Sequence, residues 1–172
     1  PYQLDRLLAF ADPARDPQGI GYQTRQARLA IGSGGWDGAG LGQGPQTQGG
    51  FIPFQHTDFV FSIAGEELGL LGALGIVGLL VFLVVRALWV AVRTDDPFAR
   101  LVAVGVAGWL LFQTFENVGM NLGLMPVTGL PLPFVSYGGS SMFACWLAVG
   151  LVAACQQPQR VAASAPLVRT SR

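Results

Sequence analysis

Chemistry in this chain is most readily placed at Asp58, which closes the stretch Phe51-Ile-Pro-Phe-Gln-His-Thr-Asp58 and stands before a long apolar run. Two roles suit a carboxylate there. It can cap a helix by accepting backbone N–H groups, or it can act as a general base at a membrane surface. His56 is the only histidine, and no second His or Cys stands at ligand spacing, so a zinc site is not expected. Glu66 and Glu67 fall about two turns into the following helix. Charges at that depth are costly and normally face protein or water, which predicts a hydrated cavity inside the bundle. Upstream, residues 32–50 hold nine glycines among nineteen residues. The chain has no lysine for a Walker A loop, and GxGxxG spacing is absent, so a nucleotide site is not expected. A flexible linker is one reading. Trp36, Leu41, Gln43, Gln46 and Gln48 favour another, an ordered loop bordering a substrate groove, because a spacer has no need of them.

The elements that must position these residues are transmembrane. Of 172 residues, 51% are hydrophobic and 12% charged, about half the charge of an average soluble domain. Residues 68–85 carry no charge, and between positions 101 and 159 the only one is Glu116. Three helical spans are expected, at 59–92, 101–122 and 139–156, since a backbone in lipid must satisfy its own hydrogen bonds. The fold class is therefore all-α and multi-pass, with a large preceding external loop (1–58), a second external loop (123–138) and a polar tail (157–172) expected to be disordered. Orientation follows from arginine placement. Arg86, Arg93 and Arg100 lie at the end of the first span and in the connection to the second, and Arg160, Arg169 and Arg172 in the tail, whereas 123–138 has none. The arginine-bearing connections belong in the cytoplasm, which places 1–58 outside and predicts upstream spans. Short amphipathic helices are expected at 2–11 and 22–31. Zero net charge leaves no basic field for nucleic acid. Cys145 and Cys155 would sit roughly 15 Å apart on one helix, too far for a disulfide.

Several segments together resemble one family. Gly21-Tyr-Gln, Ala30-Ile-Gly-Ser-Gly-Gly-Trp-Asp-Gly, Gly40-Leu-Gly-Gln-Gly, Phe51-Ile-Pro, His56-Thr-Asp-Phe, Gly65-Glu-Glu-Leu-Gly and Asn117-Val-Gly-Met are similar to the SEDS family (RodA/FtsW/SpoVE). So is Pro126-Val-Thr-Gly-Leu-Pro-Leu-Pro-Phe-Val-Ser-Tyr-Gly-Gly-Ser-Ser. The matches run in order over most of the chain. The wording at Ser33-Gly-Gly and Gln43-Gly leans towards the elongation branch of the family.

The resemblance implies a ten-span fold of which this chain looks like the last three spans with the loop before them. It also implies a peptidoglycan glycosyltransferase of the bacterial cytoplasmic membrane. Such an enzyme joins lipid II units into glycan strands on the outer face, with a class B penicillin-binding protein as partner. The aspartate of the family's external-loop motif falls on Asp58, implying the general base. Arg25 or Arg28 could balance the departing pyrophosphate. A divalent cation could do the same, although no assembled metal site or other cofactor is evident. Gln46, His56, Ser136, Tyr137 and Ser140 are further candidates for lining the substrate groove. For the Ser136-Tyr-Gly-Gly-Ser-Ser turn, the alternative is a helix start with small residues for close packing. Glu116 departs from the family pattern and is assigned no catalytic role. The rival function is a lipid-linked precursor transporter (flippase).

Overall fold

The three apolar stretches become helices, and the ends of the second are written in its local sequence. The computed structural model describes residues 19–49 and 57–156, and its elements are all helical there. They are α1 (Ile20–Ser33), α2 (Pro45–Gln48), α3 (Val60–Glu67), α4 (Gly69–Arg93), α5 (Pro97–Leu122) and α6 (Gly139–Cys155). Asp96 caps α5 by accepting from Phe98 N–H at 3.1 Å, and Pro97 takes the first helical position, where its missing N–H costs nothing. At the far end Gly123, with φ 68°, turns the chain, and the N–H groups of Gly123 and Leu124 return to Met120 and Gly119.

At 25 and 26 residues, α4 and α5 are long and apolar enough to cross a bilayer. They form an antiparallel pair joined by a short turn at residues 94–96. Small residues let them approach closely: Val84, Ala87, Val90 and Ala91 of α4 meet Ala103, Ala107 and Leu110 of α5, with Val152 of α6 closing the cluster. Their other faces expose Leu71, Leu74, Leu79, Phe82, Leu101 and Phe112. Such a surface suits lipid rather than water. Thr94 Oγ1 bonds Val90 O at 2.8 Å and reaches Cys155 O at 3.4 Å, so α4 ends and α6 ends at the same end of the bundle. Arg86, Arg93 and Arg100 belong to that end and Asp58 to the other. Both cysteines are free. The helix expected at 2–11 and the tail at 157–172 lie outside the described residues.

The first span departs from the expectation of one helix over 59–92. It breaks between α3 and α4, at Leu68, and restarts at Gly69 with φ +67°. A broken helix leaves donors and acceptors that lipid cannot satisfy. Here the glycine-rich segment supplies them with its own backbone. Leu70 N–H donates to Gly35 O at 2.9 Å and Leu71 N–H to Trp36 O at 3.3 Å. In return Glu66 O accepts from Ala39 N–H at 2.9 Å and Glu67 O from Gly40 N–H at 3.0 Å. Gly38 must lack a side chain for this docking, since a Cβ would overlap the Glu67 carbonyl. The glycine-rich segment is therefore an ordered insert that completes a broken membrane helix.

Candidate functional site

Asp58 lies just before α3, and the helix-cap alternative does not hold. The N-cap of α3 is Phe59, and no side chain caps its first turn. The backbone around Asp58 is instead gripped from α5 and the 123–138 loop. Asn117 Nδ2 donates to Asp58 O at 3.1 Å, and Asn121 Nδ2 donates to the same oxygen at 3.2 Å. One residue earlier, Thr57 O accepts from Ser136 Oγ at 2.6 Å. Phe59, one residue later, is buried among Ala27, Ala30, Met120 and Val127, which wedges α1 against the same segment. The carboxylate itself makes no hydrogen bond or ion pair among the described residues. It faces Gly129, where an added Cβ would lie 3.7 Å from Asp58 Oδ2. The main chain around Asp58 is thus held rigidly, and its carboxylate is left without a partner among the described residues.

The clamp is a polar stripe on an apolar helix. Gln113, Asn117 and Asn121 recur every four residues and share one buried face of α5. Buried amides need partners, and these find backbone carbonyls. Gln113 Nε2 donates to Pro131 O at 2.7 Å and Asn117 Nδ2 to Leu130 O at 2.8 Å, which lays the loop along the helix. Asn121 Nδ2 also donates to Asn117 O at 2.8 Å, and Ser62 Oγ donates to Asn121 Oδ1. Ser62, Asn117 and Asn121 are fully buried. None of the three was among the site candidates. The signal for the two asparagines was the four-residue recurrence of Gln113, Asn117 and Asn121 along a mostly apolar span; Ser62 had no such signal.

Ser136 belongs to this clamp and also lines the groove beside it. It is buried, donates to Thr57 O and accepts from Leu132 N–H at 2.7 Å. Beside it Phe134 adopts φ 62°, a left-handed conformation rare for a bulky residue, and its ring meets Trp146 edge-on at 5.4 Å. Between this turn and the start of α3 lies an open groove of about 750 Å³, lined by Val60, Phe134, Val135, Tyr137, Gly138 and Met142 among others. Tyr137 is 81% exposed and Ser140 is exposed in the first turn of α6. The groove is mainly apolar and opens two residues from Asp58.

Glu66 corrects the expectation of a hydrated cavity. Its carboxylate is buried and accepts from Gln46 N–H at 2.7 Å, Thr47 N–H at 3.1 Å and Thr47 Oγ1 at 2.8 Å. It thereby caps α2 from a distance, since the first-turn donors of that helix point at an anion. Glu67 is partly buried. Gln46 contributes its backbone N–H to Glu66, while its side-chain Oε1 is buried without a partner among the described residues. Arg28 Nη2 donates to Gly123 O at 2.7 Å, a cation at the carboxyl end of α5 where the helix dipole favours it. Arg25, one turn earlier, is exposed and forms no hydrogen bond or ion pair among the described residues. Glu116 is buried on α5. His56 lies outside the described residues. Among those described, no three His, Cys, Asp or Glu side chains gather as a metal site.

Comparison with known proteins bears on this arrangement. The family model FTSW_RODA_SPOVE, described as a cell cycle protein, matches residues 1–161. The peptidoglycan glycosyltransferase MrdB of Escherichia coli K12 is 44% identical over 151 residues, covering 88% of this chain and 41% of MrdB. The probable peptidoglycan glycosyltransferase FtsW of Geobacter metallireducens is 46% identical over 151 residues, covering 88% of this chain and 40% of that protein. The peptidoglycan glycosyltransferase RodA of Treponema pallidum is 44% identical over 152 residues, covering 88% and 35% respectively. The chain thus spans about two fifths of the length of such relatives. Among solved structures, a chain from work described as "Structural coordination of polymerization and crosslinking by a peptidoglycan synthase complex" superposes with a TM-score of 0.72 at 41% identity. That match covers 88% of this chain and 40% of that one.

Proposed function

Because this chain belongs to the FtsW, RodA and SpoVE family of cell cycle proteins, we propose that it serves peptidoglycan glycosyltransfer, with Asp58 as the general base. The observation that carries the proposal is the mismatch at Asp58: its carbonyl is held by two buried asparagines while its carboxylate has no partner among the described residues. A helix cap would show the reverse. The proposed substrate is lipid II, and the groove beside Val60 and Tyr137 suits the apolar part of a lipid-linked sugar. The acceptor 4-hydroxyl gives its proton to the Asp58 carboxylate as its oxygen attacks the donor's anomeric carbon. The bond from that carbon to the lipid pyrophosphate then breaks, and the pyrophosphate leaves with the electron pair. Arg25 is the better placed of the two arginines to stabilise the leaving charge, because Arg28 already serves Gly123.

The same reading puts the Asp58 end on the outer face of the bacterial cytoplasmic membrane, opposite Arg86, Arg93 and Arg100. A class B penicillin-binding protein is the proposed partner, supported by the similar chain's origin in a peptidoglycan synthase complex. The test is polymerisation of labelled lipid II by the protein purified with its partner, comparing wild type with Asp58→Asn. Loss of the base should reduce strand formation by roughly 10²- to 10⁴-fold while transbilayer movement of lipid II in vesicles is unchanged. Undiminished polymer from Asp58→Asn would sink the mechanism. Lost movement would instead favour the transporter.

A further inference from the structure

The end of the bundle remote from Asp58 carries a second arrangement that glycosyltransfer does not use. A groove of about 160 Å³ runs between α4, α5 and α6, walled by Leu83, Val106, Val149 and Val152, with Arg86 and Gln156 as its polar members. Arg86 Cζ stands 4.6 Å from the centre of the Trp89 ring, and Arg93 Cζ stands 4.2 Å from the same ring. Trp89 is 38% exposed, and both arginines are exposed. Neither guanidinium has a hydrogen bond or ion pair among the described residues. The nearest acids along the chain are Asp95 and Asp96, and Asp96 accepts from Phe98 N–H as the cap of α5.

We propose that this end binds one anionic glycerophospholipid of the adjoining leaflet, an acyl chain in the α4–α5–α6 groove and its phosphate between Arg86 and Arg93. Charge complementarity selects the occupant. Two cations drawn to one aromatic ring repel each other unless an anion joins them, and a phosphodiester accepts from both forks at once. Arg86 lies about 10 Å along the helix from Arg93. Its aliphatic stem runs over apolar surface while its charged head reaches towards the phosphate layer, as long basic side chains do at membrane interfaces. Trp89 marks the same level, because tryptophan prefers the boundary between headgroups and acyl chains. The groove needs an apolar guest and the arginines an anionic one. A phospholipid bearing net negative charge is both. A zwitterionic lipid brings its own cation to the same arginines and gains less.

The test uses the protein purified from membranes, delipidated in detergent and offered phosphatidylglycerol or phosphatidylcholine, with retained lipid counted by native mass spectrometry. Wild type should retain phosphatidylglycerol about tenfold more than phosphatidylcholine. Each arginine near an anionic surface contributes on the order of a fivefold preference, so Arg86→Gln with Arg93→Gln should lower retention by roughly 25-fold. Val149→Phe fills the groove without altering charge and should also displace the lipid; Val106→Phe does so from the opposite wall. Each variant qualifies by an unchanged helical circular dichroism spectrum and a single size-exclusion peak. Equal retention of the two lipids would overturn the proposal, as would an unaffected arginine double variant. Displacement by the arginine changes but by neither groove-filling change would also overturn it, leaving only diffuse surface attraction.

Discussion

The two ends of the same helix pair are held together by different forces. At the arginine end, α4 and α5 meet chiefly through Ala87, Ala91, Ala103 and Ala107, and the side-chain hydrogen bonds there, from Thr94 and Arg100, tie the turn and the end of α6 rather than the helix contact itself. At the Asp58 end, α5 turns Asn117 and Asn121 inward, and the partners are backbone carbonyls of Asp58 and Leu130. Packing of small apolar residues is tolerant in angle and distance. Hydrogen bonds to a single carbonyl oxygen are not. The Asp58 end relies on the directional force, and the arginine end chiefly on the non-directional one.

That contrast breaks most severely at Glu66. Replacing it with Ala strands two backbone donors and a hydroxyl in a buried site, and each unsatisfied group costs about 1–3 kcal/mol. A loss of about 3–5 kcal/mol is expected, read as a lower melting temperature in detergent, with hydrogen exchange accelerated first at residues 44–47. Exchange that rises equally at both ends of the bundle would show that the Glu66 contact is not local to the outer one.

Asn117→Ala is next. It removes one donor from Asp58 O and the tie to Leu130 O, at a cost of about 2–3 kcal/mol. The informative quantity is turnover. If the clamp aims Asp58, lipid II polymerisation per folded molecule should fall about 10- to 100-fold through kcat, since a misplacement of about 1 Å in a positioned group can cost that much. Unchanged kcat with reduced stability would reduce the clamp to scaffolding.

At the other end the same logic predicts a purely structural effect. Ala103 is fully buried against α4, so Ala103→Leu overpacks the contact by three heavy atoms and should cost about 1–3 kcal/mol. Turnover of the molecules that remain folded should be unaltered. A drop in kcat from this change would mean that the two ends are mechanically coupled.

How much of this was legible depends on whether the determining partner is near in sequence. The spans of α5 and α6 follow from apolar length, and the end of α5 from Gly123, all within a few residues. Helix α1 was visible in the apolar spacing of residues 22–31. The break at Leu68 was not, because it falls at the edge of the uncharged run and the apolar residues before it read as the same span. Its interruption is affordable only through four backbone bonds to residues 35–40, which no local pattern announces. Glu66 misled for the same reason. A carboxylate two turns into a membrane helix implied water, whereas its partners are N–H groups twenty residues upstream. Asp58 stood out by type and place, but setting aside the cap reading needed the position of Phe59 at the N-cap.

The smallest effect separates two residues that look equivalent. Arg25 and Arg28 are one helical turn apart on α1, and both are exposed. Arg28 donates to Gly123 O at the end of α5, so Arg28→Gln should cost about 0.5–1 kcal/mol, the usual worth of a cation at a helix carboxyl terminus. Its kcat should change less than about twofold, and Lys should restore most of the stability because the interaction needs charge more than shape. Arg25 has no such tie. If it balances the leaving pyrophosphate, Arg25→Gln should leave the melting temperature unaltered and lower kcat about tenfold or more, and Lys should rescue it only in part. The crossed pattern, stability from one arginine and rate from the other, is the discriminating outcome. A rate loss confined to Arg28 would reverse the assignment and make its bond to Gly123 part of the reaction site.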